Sequence, residues 1–192
     1  VIDQTEHRSL IARISSQQTF WVFMAAILAC LALTLLTDTF ATERNLFNVS
    51  RNFAFVGIIA LGMTAVIASG GIDLSVGSTV VLSAMTVAVL MSSGMPIWIG
   101  IPAALLVSVA VGITNGVLIA YAGMPSFVVT LGMLSVARSL AMVLSNNKMI
   151  YEFGPDHALL LGLGGGSTLG LPNPLIVLAV LAALTGFLFR WT

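Results

Sequence analysis

Six apolar runs, each about the length of helix that crosses a bilayer, divide this chain at roughly 20–37, 53–69, 76–93, 97–121, 126–144 and 174–190. Several are apolar all round rather than along one stripe, which suits lipid and neighbouring helices and not a core covered by water. Hydrophobic residues make up 58% of the 192 positions and charged residues only 7%, with a mean hydropathy of +1.09. A soluble domain carries about 25% charged residues. The predicted fold is therefore all-α, a polytopic transmembrane helical bundle of about six spans, with helices broken or kinked near Gly70–Gly71 and Pro125. It is read as a single transmembrane domain over 1–192, with a tail at 1–19 and the membrane bundle at 20–190.

Composition excludes several function classes. A net charge of +0 offers no basic footprint for nucleic acid. His7 and His157 stand apart, so no ligand cluster for a metal is expected. Cys30, a single cysteine, permits no disulfide within the chain and is read as a buried thiol in the first span. The run around it is too long for a removable signal peptide and lacks a small-residue cleavage site. "GLGGGST" at 162–168 has neither the lysine nor the preceding strand of a phosphate-binding loop, so this chain is not expected to hydrolyse ATP.

Most connections are short. "SSGMP" and "YAGMP" end one helix and start the next with glycine and proline, so consecutive helices must pack side by side. Residues 38–52, with charges of both signs, are expected at a membrane surface. Residues 145–173 form the largest extramembrane segment; their glycines argue against a further span. Arg8 and Arg13 before the first span are balanced by Arg44 and Arg51 after it, so charge leaves the orientation open. In the fourth span Ala104, Ser108, Gly112, Gly116 and Ala120 recur every four residues as one small-residue stripe, the mark of close helix packing in lipid.

Polar residues within so apolar a chain carry the functional signal. In "SGGIDLSVGS" (69–78) the paired glycines end a helix, and Asp73 or Ser75 is placed to cap the next one, where the helix dipole favours negative charge. Two readings stay open: a surface turn with a good cap, or a break at membrane depth bordering a polar pathway. Arg138 lies about 18 Å into the fifth span at 1.5 Å per residue. There it costs at least about 2.5 kcal/mol against lipid and should face protein, a partner or water, unless it snorkels to an interface. Ser135 and Ser139 lie near it on the helix, and Asn115, Pro125 and Thr130 complete the polar set. "IASGGIDLS" and "IAYAGMPSF" share one pattern of apolar run, small residues, break and new helix, which is either a weak internal repeat or chance.

"GGIDLSVGS" followed by "NGVLIAYAGMPSFVVTLGMLSVARSLAMVLS" resembles the permease subunit of bacterial ABC importers for ribose, xylose, arabinose, rhamnose and related sugars, in register over roughly 45–192. Permeases for branched-chain amino acids and nucleosides share the arrangement, and the "GIDLSVG" segment is the reason to prefer a sugar. The resemblance implies a multi-pass protein of the bacterial inner membrane with a cytoplasmic amino terminus, a periplasmic 145–173 loop, and an exit from the sixth span on the cytoplasmic side near Arg190. It also implies a second permease subunit, identical or not, a periplasmic sugar-binding protein, and a cytoplasmic ATPase with tandem nucleotide-binding halves. ATP would be used by that partner, with no cofactor bound by this chain. Such permeases run past three hundred residues, so the chain is expected to be the amino-terminal portion of a longer one.

A neutral polyhydroxylated substrate calls for hydrogen-bonding groups in a lined cavity, not a charge clamp. Asp73, Ser75, Asn115, Thr130 and Arg138 are the candidates for the pathway or its gate. An ion- or proton-coupled secondary transporter with Asp73 as its titrating group is the alternative, followed by a permease for a nucleoside or branched-chain amino acid, or a membrane scaffold without transport.

Overall fold

The computed structural model describes residues 17–191; His7, Arg8, Arg13 and most of the expected tail lie outside the described residues. The chain divides into two compact units at Val49/Ser50.

In the first unit, helix α1 (Gln18–Leu36) buries no side chain, as an all-apolar helix facing lipid does. Thr34 and Thr37 donate their hydroxyls to the carbonyls of Cys30 and Leu33 at 2.8 and 2.7 Å, so their polar atoms are satisfied within the helix. Cys30 corrects an expectation, because its side chain is exposed on α1 and not buried among helices. The charged 38–52 segment is partly helical, since helix α2 (Glu43–Ala68) begins ten residues before its apolar run. The Thr42 hydroxyl accepts the amide of Asn45 at 3.3 Å and the Thr42 carbonyl accepts that of Leu46 at 3.0 Å. Glu43 adds the acidic residue that a first helical turn favours.

The second unit holds the rest of α2 with helices α3 (Val76–Ser92), α4 (Ile97–Ala120), α5 (Ser126–Leu144), α6 (His157–Gly165) and α7 (Asn173–Trp191). Between α6 and α7 lies a minimal antiparallel hairpin of β1 (Ser167–Thr168) and β2 (Leu171–Pro172). Five helices, α1, α2, α4, α5 and α7, are long and apolar enough to cross a membrane. The third expected span, α3, has only 17 residues, because the chain runs without helix through the Asp73 turn and stops again at Gly94. At 1.5 Å per residue that is about 25 Å. The protein is an all-α, multi-pass membrane protein.

Helix α3 is the centre of the bundle and packs against both α4 and α5. Leu82 enters a core with Ala137 and Ala141 of α5, flanked by Met85, Val107 and Val111. The two alanines are nearly fully buried, and their small size lets the helices approach. Gly57 does the same between α2 and α7, where a Cβ would lie 2.8 Å from Leu178 Cδ2.

The 145–173 segment adds no span, as its glycines predict. A 3-10 turn at Gly154–Asp156 leads into α6, which packs on α7. Asp156 Oδ2 accepts the Ile97 amide at 2.9 Å, supplying the first residue of α4 with a side-chain acceptor from 59 positions away. "GLGGGST" closes on itself, its Gly162 carbonyl accepting the Gly166 amide at 3.0 Å and Asn173 Nδ2 at 2.7 Å.

Gly154 makes this docking possible. Its φ is +64°, and a Cβ there would lie 2.5 Å from the Met91 carbonyl oxygen at the end of α3. Gly154→Ala is expected to cost about 1–3 kcal/mol, seen as a lower thermal unfolding temperature in detergent. Gly164→Ala, where a Cβ meets open space, is expected to leave that temperature within about 2 °C.

Candidate functional site

Two helix breaks meet side by side. Helix α2 ends with Gly70 at φ +78°, its amide bonded to the Ile67 carbonyl at 2.9 Å. Helix α4 is followed by Gly123 at φ +67°, with the amides of Ala122 and Met124 bonded to Val117 and Leu118 carbonyls. Both chains then run without helix into α3 and α5. The two segments that share a sequence pattern thus share a local shape, and they touch.

The contact is made through the backbone of one residue, Ile72. Ser126 Oγ accepts the Ile72 amide at 3.2 Å, and the Thr130 hydroxyl points at the Ile72 carbonyl at 3.2 Å while also reaching the Ser126 carbonyl at 2.8 Å. These two backbone groups lie outside any helix, and side chains of α5 supply their partners. Thr130 is almost wholly buried as a result.

One residue further along, a polar chain crosses from the break to α4. Asp73 Oδ1 accepts both the Ser75 amide at 2.7 Å and the Ser75 hydroxyl at 2.6 Å. Ser75 Oγ in turn accepts Asn115 Nδ2 at 3.0 Å. Ser75 is fully buried and Asn115 is only 6% exposed, leaving Asn115 Oδ1 buried without a partner. The expected cap is corrected in detail. Ser75 stands at the N-cap of α3, yet neither it nor Asp73 bonds the free amides of the first helical turn. Asp73 instead closes a two-residue turn onto Ser75, whose oxygen is already engaged by Asn115.

Two clefts adjoin this chain. One, of about 400 Å³, is bordered by Ser69, Gly71, Asp73, Asn115, Ser126 and Thr130 among others. The other, of about 600 Å³, runs along α3 and α4 past Thr79, Ser83, Ala104 and Ser108. Asp73, Gly112 and Asn115 border both. The walls mix hydroxyl, amide and carboxylate groups with apolar side chains, with Asp73 as the charged group among the bordering residues. Such a surface can exchange hydrogen bonds with a neutral polar molecule.

Of the predicted residues, Asp73, Ser75 and Asn115 form one connected chain and Thr130 sits one peptide away. Arg138 is separate. It is exposed on α5 and lines a smaller cleft of about 220 Å³ with Gly77, Ser78, Met85 and Ser145. The small-residue stripe is used in part: Ala104 is buried, and Ser108 Oγ lies 2.6 Å from Ser83 Oγ of α3. Gly112 borders the clefts, while Gly116 and Ala120 remain exposed. Sequence reasoning missed Ser126, although hydroxyls at 126 and 130 share one face at the start of a helix.

The clamp on Ile72 is testable directly. Ser126→Ala combined with Thr130→Val leaves the Ile72 amide and carbonyl without these partners and is expected to cost about 1–3 kcal/mol. Hydrogen–deuterium exchange over 70–75 should accelerate in the double variant, while the interior of α3 stays protected.

Residues 45–192 match the family described as "Branched-chain amino acid transport system / permease component". The chain is 32% identical over 171 residues to the ribose import permease protein RbsC of Haemophilus influenzae, covering 88% of this chain and 53% of that one. It is 34% identical over 171 residues to the L-arabinose ABC transporter permease protein AraH of Azospirillum brasilense, covering 89% and 50%. With the autoinducer 2 import system permease protein LsrD of Enterobacter sp. (strain 638) it shares 39% over 139 residues, covering 71% and 42%. The chain spans about half the length of these relatives. No solved structure matches it.

Proposed function

This chain belongs to the branched-chain amino acid transport system / permease component family, and from that premise we propose that it serves as a permease subunit of an ATP-driven sugar importer. The observation that carries the substrate class is similarity, over most of the chain, to permeases named for ribose and arabinose. The neutral hydroxyl and amide groups around Asp73 support it, since a sugar needs donors and acceptors in place of a countercharge. The protein is a transport component and not an enzyme. ATP is consumed by a separate cytoplasmic ATPase with tandem nucleotide-binding halves, and no cofactor is held by this chain.

In this reading the protein sits in the bacterial inner membrane with its amino terminus in the cytoplasm and the 145–173 segment facing the periplasm. A secreted sugar-binding protein delivers substrate to a pathway shared with a second permease subunit, identical or not. Asp73, Ser75, Asn115 and Thr130 border the pathway or its gate, and Arg138 supports a polar contact elsewhere on α5. Ala104 and Ser108 hold α4 against α3 so that the clefts keep their shape.

Uptake of radiolabelled ribose, arabinose, xylose and rhamnose, in cells carrying the full-length permease and its partners, tests the proposal. One sugar is expected to accumulate, to fall to background with an inactive ATPase, and to persist in the presence of a proton ionophore. Asp73→Leu, which removes both bonds to Ser75, is expected to lower that uptake by about fivefold or more at equal protein level. Uptake that ignores the ATPase and collapses with the ionophore would overturn the reading in favour of a coupled secondary transporter.

A further inference from the structure

We infer that Asn115 offers the transported molecule its amide oxygen, so that the pathway at this point selects substrates carrying a hydroxyl donor. The inference rests on the importer reading and adds the hydrogen-bond polarity of the site. A side-chain amide can present either end, and the neighbours decide which. Asp73 Oδ1 already accepts the Ser75 amide at 2.7 Å, and as an acceptor it also takes the Ser75 hydroxyl proton at 2.6 Å. With its single proton committed, Ser75 Oγ can only accept from the next group. That group is Asn115, which therefore turns its NH2 toward Ser75 at 3.0 Å and directs Oδ1 away.

Asn115 is more than nine-tenths buried, and Oδ1 has no partner in the protein. A buried acceptor left without a donor is unfavourable, so it gains from any hydroxyl that reaches it. Asn115 borders both clefts with Oδ1 enclosed behind their walls, so a hydroxyl meets that oxygen as the helices around the clefts part. Asp73 and Ser75 are then positioning residues, fixing the orientation of an amide that touches substrate. Reversing the amide would set its NH2 toward the pathway and favour acceptors instead.

The test uses the complete importer and the sugar identified in the uptake panel, with each hydroxyl replaced in turn by fluorine. Fluorine keeps nearly the size of a hydroxyl and cannot donate. The same binding protein serves every variant, so a change in the hydroxyl-to-fluorine uptake ratio reports the permease. At one ring position the wild-type ratio is expected to exceed that of Asn115→Leu by about tenfold. Ser75→Ala keeps Asn115 and frees its amide to turn over, and should erode the same ratio at the same position. If both variants lower uptake of sugar and fluorinated analogue equally, their role is structural and the inference is overturned. Should Asn115→Leu fail to reach the membrane, an unchanged ratio in Ser75→Ala alone overturns it. If the wild-type importer accumulates no sugar, the inference falls together with the reading beneath it.

Discussion

Backbone groups that leave a helix still need hydrogen-bond partners, and at Ile72 the protein supplies them from its own side chains. The Ile72 amide and carbonyl are both received by the first turn of α5, through Ser126 and Thr130. This one contact brings the starts of α3 and α5 together. Helix α3 lies between α4 and α5, with Leu82 seated on the small side chains Ala137 and Ala141.

The polar cluster serves the fold and the clefts with the same atoms. Asp73 spends one oxygen on Ser75, and Ser75 spends its oxygen on Asn115, so an extended segment is tied to α4 without a salt bridge. A buried charge pair would need a costly exchange of hydration for one partner. A graded relay of carboxylate, hydroxyl and amide ties the helices with bonds that are individually weak. No single one of these ties dominates the energy.

Much of this was legible in the residues. The apolar runs located six helices to within a few positions except at the start of α2, five of them long and apolar enough to cross a membrane, and the glycine pair and Pro125 located both breaks. Asp73, Ser75 and Asn115 stood out because polar groups are costly in such a setting, and they come together in the structure. What escaped was tertiary. Ser126 looks like any residue after a helix-starting proline until Ile72 is placed beside it, and Asp156 meets Ile97 only because the 145–173 segment folds back over the end of α3. Arg138 shares the polarity of the cluster but not its place, since sequence spacing along α5 does not say which side of the helix meets α3. Cys30 was taken as buried because its run is apolar, whereas apolar residues on α1 have lipid to face and need no protein cover.

The brevity of α3 has a consequence for the membrane itself. At about 25 Å it is some 5 Å shorter than a typical hydrocarbon layer of about 30 Å, and neither end carries a long apolar extension. Lipid must shorten beside it or headgroups and water must dip toward its ends. On the second course solvent approaches the Asp73 turn, which stands at one end of α3. Acyl-chain length then becomes a parameter of this protein: a thicker membrane widens the mismatch with α3 and raises its elastic cost.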